Sequence, residues 1–421
     1  MNQSSTRAVQ IAGPEVPLLY GPQVPTLAAS AKESKKRYRV SPGITLSNPL
    51  NGTRDDINAK VTRAINHTFK KAKIRMASWN FDSWAYVGAL TAAHKRGVSV
   101  RLIMSRQMAN AQGSRGPYAA LRRNLMGSGN GSRPANRRSW FKTCDHSCRG
   151  KGGAMHSKFF IFSQSGKSKK IVMNTSANLT AAAKRVQWND LYTAVGRDIT
   201  YRAYNKVFRQ MPADTKQNYH QYQDKGITLW FYPAPGQPDI VMGMLNQVQC
   251  DGAKKAGVKG KTSIRVAQDV FNNKRGETIA RKLLALHRSG CSVRVVYSQA
   301  VGASRSIIKR LPNNHLVQDR DGDCSYDRYL HAKILAISGN YGGNPSERIV
   351  LNGSANWSAT AVKSDEQGMI IDRDSAEKKY AKWVNEMYNI HLKSAPCDPT
   401  LAAERVNGRM AAFDPYAEME H

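Results

Sequence analysis

Met155-His-Ser-Lys-Phe-Phe-Ile-Phe162 and Leu330-His-Ala-Lys-Ile-Leu-Ala-Ile337 stand about half the chain apart and carry one pattern. In each, a histidine and a lysine two residues apart lead into an apolar run, which reads as a buried strand. Side chains two apart on a strand share a face, so His156 projects with Lys158 and His331 with Lys333. A second apolar run follows each, Lys170-Ile-Val-Met173 and Arg348-Ile-Val-Leu351. Each ends in a corner of small residues, Asn174-Thr-Ser-Ala-Asn178 or Asn352-Gly-Ser-Ala-Asn356. A hairpin with its tip at Gly166-Lys-Ser-Lys-Lys170 or Gly339-Asn-Tyr-Gly-Gly343 returns each corner to the start of its first strand.

The duplication extends outward. Gly43-Ile-Thr-Leu46 opens one half and Gly226-Ile-Thr-Leu229 the other. Strand-like segments follow at Ile74-Arg-Met-Ala-Ser78 and Ser263-Ile-Arg-Val-Ala267. Helical patterns come next, stopped by Gly97 and Gly290, and each runs into a strand, 98–104 or 291–297. Strand, helix and strand with a short glycine turn indicate a mixed or parallel sheet. The expected fold is α/β: two similar α/β domains packed as a pseudo-dimer, with mixed sheets flanked by helices and the site at their seam. The expected organisation is an extended N-terminal arm over 1–42, a first domain over 43–213, a linker at 214–225, a second domain over 226–393 and a tail over 394–421. The N-terminus has no apolar leader pattern, and no run of about twenty apolar residues marks a membrane span.

Brought together, the two strings supply two imidazoles, two ammonium groups, the amides of Asn178 and Asn356 and the hydroxyls of Ser176 and Ser354. That donor set suits a phosphate. An acid follows each corner, Asp190 in Trp-Asn-Asp and Glu366 in Ser-Asp-Glu, of the kind that fixes a histidine's tautomer. Here the chain resembles the phospholipase D superfamily, whose hallmark is a duplicated His-x-Lys followed by Gly-Ser-x-Asn. The resemblance covers roughly residues 43–392 and implies two phospholipase D-like domains. It also implies a two-step phosphodiester reaction with no metal or other cofactor. One histidine attacks phosphorus to form a phosphohistidine; the other protonates the leaving oxygen and then activates water or an alcohol. By that resemblance His156 is the nucleophile and His331 the acid and base. Lys158, Lys333, Asn178 and Asn356 hold the non-bridging oxygens, Asp190 stands behind His156, and Glu366 stands behind His331.

The chain departs from the family pattern in places. Ser163 and Ser338 occupy the position five after the lysine where the family usually has aspartate. Thr175-Ser176 replaces the first Gly-Ser, and the interval from histidine to asparagine is long.

Composition narrows the substrate. Lys and Arg number 64 against 30 Asp and Glu, a formal net charge of +34 that attracts nucleic acid or an anionic phospholipid surface. Arg122, Arg123, Arg137 and Arg138, just upstream of the first motif, are the candidate phosphate track, with Trp140 and Phe141 as candidate base-stacking groups. Tyr219, Tyr222, Trp230, Phe231 and Tyr232 read as core. The six cysteines include Cys144-Asp-His-Ser-Cys148, which allows a zinc site with His146. Disulfides and a secreted location are the favoured reading, and six free thiols in the cytosol the alternative. Nuclease is favoured over a phospholipase D acting on lipids by hydrolysis or transfer, and over a non-catalytic nucleic-acid-binding relative. The expected state is a monomer with an internal pseudo-two-fold.

Overall fold

The computed structural model describes residues 37–127 and 129–401. Of the arm expected over 1–42, residues 1–36 lie outside the described residues, as does the end of the tail, 402–421.

The first half carries β1 (Gly43–Leu46), β2 (Lys73–Ala77), β3 (Ser99–Ser105), β4 (Trp140–Cys144), β5 (Phe159–Ser165), β6 (Ser168–Thr175), β7 (Gln187–Trp188) and β8 (Asp190–Val195). The second carries β9 (His220–Gln223), β10 (Ile227–Phe231), β11 (Val248–Gln249), β12 (Ser263–Phe271), β13 (Ser292–Ala300), β14 (Asn313–His315), β15 (Val317–Gln318), β16 (Arg328–Leu330), β17 (Lys333–Tyr341), β18 (Asn344–Gly353) and β19 (Gln367–Asp372). The main sheet of the first half runs β1-β8-β6-β5-β2-β3-β4; its counterpart runs β9-β10-β19-β18-β17-β12-β13-β14. β10, β19, β18, β17, β12, β13 and β14 therefore repeat the order of the first sheet. β2–β3 and β12–β13 are parallel, and β5–β6 and β17–β18 are antiparallel hairpins. Both sheets are mixed, as expected. The stretch read as a linker contains β9, which pairs with β10 and extends the second sheet.

Local chemistry explains the repeat. β12 is buried at every residue: Ile264, Val266, Ala267, Val270 and Phe271 supply its apolar positions, and among its buried polar side chains Arg265 bonds backbone carbonyls and Asp269 pairs with Lys333. The helices Trp84–Lys95 and Asn273–Arg288 end as the sequence predicts. Gly97 and Gly290 adopt left-handed φ of 87° and 93°, and the amides of Val98 and Cys291 reach back to the carbonyls of Ala93 and Leu286. Arg75 and Arg265 occupy equivalent positions, and each guanidinium bonds the carbonyl of the residue before it and one across its sheet, Ser99 or Ser292. At the β5–β6 tip only glycine fits, because a Cβ on Gly166 would fall 2.1 Å from the carbonyl oxygen of Tyr38.

The halves share a core. One apolar core includes Met76, Phe160 and Val172 from the first half and Leu229, Ile334 and Met369 from the second. Across the seam, Asn174 Nδ2 donates to Asn352 Oδ1 at 3.2 Å, which joins two residues at equivalent positions of the two hairpins. β7 pairs in parallel with β16, joining Gln187 to Tyr329 and Trp188 to Leu330.

Candidate active site

The seam determines where each histidine sits. Met155 bridges to Asp365, and the amide of His156 donates to the Asp365 carbonyl at 3.1 Å. The same construction recurs in the other half, where the amide of His331 donates to the Trp188 carbonyl at 3.0 Å. Each histidine is thus clamped to the opposite half, one residue ahead of the group that backs its ring. His156 Nδ1 lies 2.8 Å from Glu366 Oε1, and His331 Nδ1 lies 2.9 Å from Asn189 Oδ1.

This arrangement corrects the expected pairing of Asp190 with His156 and Glu366 with His331. The backing is crossed, and Asp190 backs neither ring. Register gives the reason: Thr175 pairs with Leu191 as Gly353 pairs with Gly368, so Asn189 is the counterpart of Glu366 and Asp190 that of Gln367. Asp190 instead accepts from Asn352 Nδ2 and Tyr380 Oη, both at 2.8 Å, and so holds the seam. Gln367 does similar work, bonding the amide and carbonyl of Lys158 at 2.9 Å each. Spacing was the signal for the true counterpart, since Asn189 follows Asn178 by eleven residues and Glu366 follows Asn356 by ten.

Lys158 stands just before β5 and Lys333 opens β17. Lys158 Nζ returns to the His156 carbonyl at 2.7 Å and Lys333 Nζ to the His331 carbonyl at 2.6 Å, so each ammonium sits beside its imidazole. Their further neighbours differ. Lys333 pairs with Asp269 at 2.8 Å, while Lys158 lies over the Trp79 ring, 6.0 Å from its centroid. Trp79 also meets His156 edge-on with ring centroids 5.8 Å apart, and Asp269 Oδ2 lies 3.7 Å from His331 Nε2. Trp79 and Asp269 are equivalent positions, each two residues beyond an alanine that pairs with the residue directly after its lysine, Ala77 with Phe159 and Ala267 with Ile334. Neither was singled out from sequence. Extending the Ile-Arg-x-Ala alignment by two residues reaches both.

Asn178 and Asn356 are buried, and the Nδ2 of each has no hydrogen-bond partner among the described residues. A buried donor without a partner costs about 1–3 kcal/mol, and an incoming phosphoryl oxygen would relieve it. Ser176 and Ser354, expected to donate to phosphate, are engaged elsewhere. Ser176 Oγ donates to Asn189 Oδ1 at 2.8 Å, and Ser354 Oγ donates to Glu366 Oε2. Each hydroxyl has one proton to give, so these two serines brace the groups behind the rings. Ser163 accepts from the Lys73 amide at 2.8 Å, at the far end of β5. Five residues of strand put it roughly 16 Å from Lys158, too far to act on the cluster.

Electrostatics follow from burial, since His156, Lys158, His331 and Lys333 have at most 1% of their surface exposed. Burial pushes the Glu366 carboxyl up to about 7, with Lys158 opposing the rise. Burial, then the charges of Lys333, Lys158 and His156, hold His331 well below the usual histidine value. Asp269 is raised by burial against the pull of Lys333.

Cys144–Cys148, Cys250–Cys291 and Cys324–Cys397 are disulfides, which removes both thiolates from any zinc site with His146. The first staple serves the approach to His156, because the Cys148 amide donates to the Asp365 carboxylate. Three carboxylates, Asp319, Asp321 and Asp327, converge in the β15–β16 loop, a group not singled out from sequence. Phe141 is buried and Trp140 stacks on Phe208, so both pack rather than present faces to bases. Trp230, Phe231 and Tyr232 are core, as read. Arg122, Arg123 and Arg138 are exposed and Arg137 half-buried. Arg123 bonds the Ser114 carbonyl, and Arg138 bonds those of Arg133 and Gly131, so Arg138 braces its own loop.

A family model described as "Cardiolipin synthase, PLD-like domain" matches residues 61–211 and 258–388. Among solved structures, a phosphatidylserine synthase from Haemophilus influenzae Rd KW20 is similar at TM-score 0.54 and 13% identity, covering 84% of this chain and 89% of that one. A polyphosphate kinase from Porphyromonas gingivalis is similar at TM-score 0.52 and 11% identity, over 86% of this chain. This chain spans 54% of that kinase. These likenesses are of fold. No curated protein matches the chain.

Proposed function

Because this chain belongs to the phospholipase D superfamily, we propose that it is a phosphodiesterase working through a phosphohistidine, and that its substrate is nucleic acid. The observation that carries the chemistry is two carbonyl-anchored His-Lys pairs with two asparagine amide nitrogens that have no partner among the described residues, all buried at one seam. One imidazole attacks phosphorus while the other protonates the leaving oxygen, and the lysines and asparagines hold the non-bridging oxygens as charge develops. Two ammonium groups make the cluster a poor cation site and a good phosphate site, so the reaction needs no metal. The net charge of +34 supports a polyanionic substrate. No helix among the described residues is long and apolar enough to cross a membrane, and three disulfides are compatible with an extracellular protein. The protein acts as a secreted monomer, since one chain carries both half-sites.

Plasmid DNA, RNA and phosphatidylcholine vesicles, assayed side by side with excess EDTA, test this reading. Cleavage of a nucleic acid at full rate in chelator is expected. Loss of activity in EDTA that a divalent ion restores rejects the metal-free mechanism. Turnover of phosphatidylcholine with no cut in either nucleic acid transfers the protein to lipid substrates.

Binding is expected to weaken steeply with salt. The slope of log K against log salt falls by roughly 0.9 per duplex phosphate neutralised, through counterion release. Glutamate at Arg122, Arg123 and Arg137 should flatten that slope by about 2–3 while leaving hydrolysis of a small aryl phosphodiester unchanged. An unaltered slope removes these arginines from the track.

A further inference from the structure

We propose that a cavity at the carboxyl end of β13 is a subsite for one unstacked nucleobase beside the scissile phosphate, and that the preferred substrate is therefore a single strand. The inference rests on the nucleic-acid reading above and names the form of that substrate. The cavity encloses about 310 Å³, and its walls include Tyr297, Ser298, Gln299, Arg305, His315 and Tyr326. Ligand pockets run from about 300 to 1,000 Å³, so this one is small, on the scale of a single ring system with its sugar. Phenol, imidazole, amide and guanidinium groups on its walls suit a polar ring better than an acyl chain.

Strand register places the cavity next to the catalytic cluster. β13 runs parallel to β12, with Tyr297 opposite Gln268 and Gln299 opposite Val270. Asp269, between those two partners, lies 3.7 Å from His331 Nε2. Neighbouring strands are about 4.8 Å apart, so the cavity wall stands one strand over from a group that touches the His331 ring. Ser298 ties the two places together, because its hydroxyl donates to the carbonyl of Leu330, the residue before His331. The first half has no such feature. Ile103 pairs with Ala77 as Val296 pairs with Ala267, so Met104 and Thr143 stand where Tyr297 and His315 do. Arg106, at the position of Gln299, is paired with Asp145 at 2.9 Å. A strand crossing the seam therefore finds a stacking platform on one side only, which gives it a direction.

The platform is built ring on ring. His315 Nε2 donates to the Ser298 carbonyl at 2.6 Å, which fixes the imidazole. Tyr297 stacks on it with centroids 4.9 Å apart and planes at 26°, and Tyr326 meets it edge-on at 5.9 Å. Tyr297 is buried and His315 exposed, so the stack starts in the core and ends at the cavity, where a base can extend it. Stacking accepts any base, because every base has a π face. Gln299 adds a preference: its Oε1 is buried with no hydrogen-bond partner among the described residues. The exocyclic amino group of adenine, cytosine or guanine would satisfy it. Arg305, on the helix Ala303–Ile308, is exposed, and its charge reaches all three rings. It opposes the burial-driven rise of Tyr297 and Tyr326 and adds to burial in lowering His315. A guanidinium so placed can hold the phosphate that flanks the base. A base in a duplex cannot enter without first unpairing and unstacking.

Cleavage of a short labelled oligonucleotide, with each cut mapped, tests this. It is presented as a single strand, as a blunt duplex, and as a set of single strands each lacking one base. Wild type is expected to cut the single strand at least about tenfold more efficiently than the duplex. Removing the base at one position beside the cut should raise KM about tenfold, and removal farther away should do little. His315→Ala should raise KM about tenfold on the intact strand yet add little on the strand that already lacks that base. A variant that merely folds poorly would lose on both strands alike. Gln299→Leu should shrink the preference for an amino-bearing base over thymine at that position. Equal cleavage of single strand and duplex, no effect of base removal at any position, or equal loss on both strands in His315→Ala overturns the subsite while leaving the nucleic-acid reading intact. Turnover of phosphatidylcholine with no cut in any nucleic acid overturns both.

Discussion

His156→Ala and His331→Ala should each lower turnover of an unactivated phosphodiester by on the order of 10⁴-fold or more, and the double variant should be little worse than either alone. Non-additivity follows from the geometry. The rings act as one machine, and removing either leaves the other with no partner to give or receive a proton. The residual rate over water comes from the lysines and asparagines that hold the phosphate. Circular dichroism and a melting curve should show each alanine variant folded, since the segments that carry the rings stay clamped by backbone bonds to Asp365 and Trp188. Turnover within tenfold of wild type in either single variant would sink the paired-histidine chemistry.

The two lysines, equal in sequence pattern, should separate in stability. Lys333→Met strands the buried Asp269 carboxylate, and breaking such a pair costs about 3–5 kcal/mol. Lys158→Met should cost less, because Glu366 keeps His156 and Ser354. Urea unfolding measures the difference. Lys333→Met combined with Asp269→Leu should recover most of the stability, as apolar replacement of both members of a buried pair often does, without recovering activity. Equal destabilisation by the two lysine variants would contradict the ion pair as the source of the difference.

Much of the architecture was legible because it is periodic. The apolar runs after each His-x-Lys became β5 and β17, the second runs became β6 and β18, and the glycine stops became helix ends at Gly97 and Gly290. Local patterns do not encode which half reaches into which, and there the reading went wrong. Asp190 and Glu366 were matched by charge, whereas strand register matches Glu366 with Asn189. A one-residue slip was enough to turn a seam-holding acid into an expected catalytic one. Ser176 and Ser354 misled for a related reason. A hydroxyl beside a phosphate pocket looks like a phosphate ligand until the direction of its single proton is known. Trp79 and Asp269 were passed over because they lie beyond the apolar runs that define their strands.

The crossed backing of the rings has a consequence for how such a protein diversifies. If the two half-sites were separate copies of one chain, any residue behind one histidine would stand behind the other as well. Glu366 and Asn189 could not then differ, nor could Trp79 and Asp269. Joining the copies into one polypeptide lifts that constraint, so each position becomes two positions that drift independently. Crossing adds a limit of its own: a change in one half is felt at the histidine of the other. The halves can specialise, but only as a couple, and neither could be exchanged for its counterpart in a relative without bringing a mismatched ring support along with it.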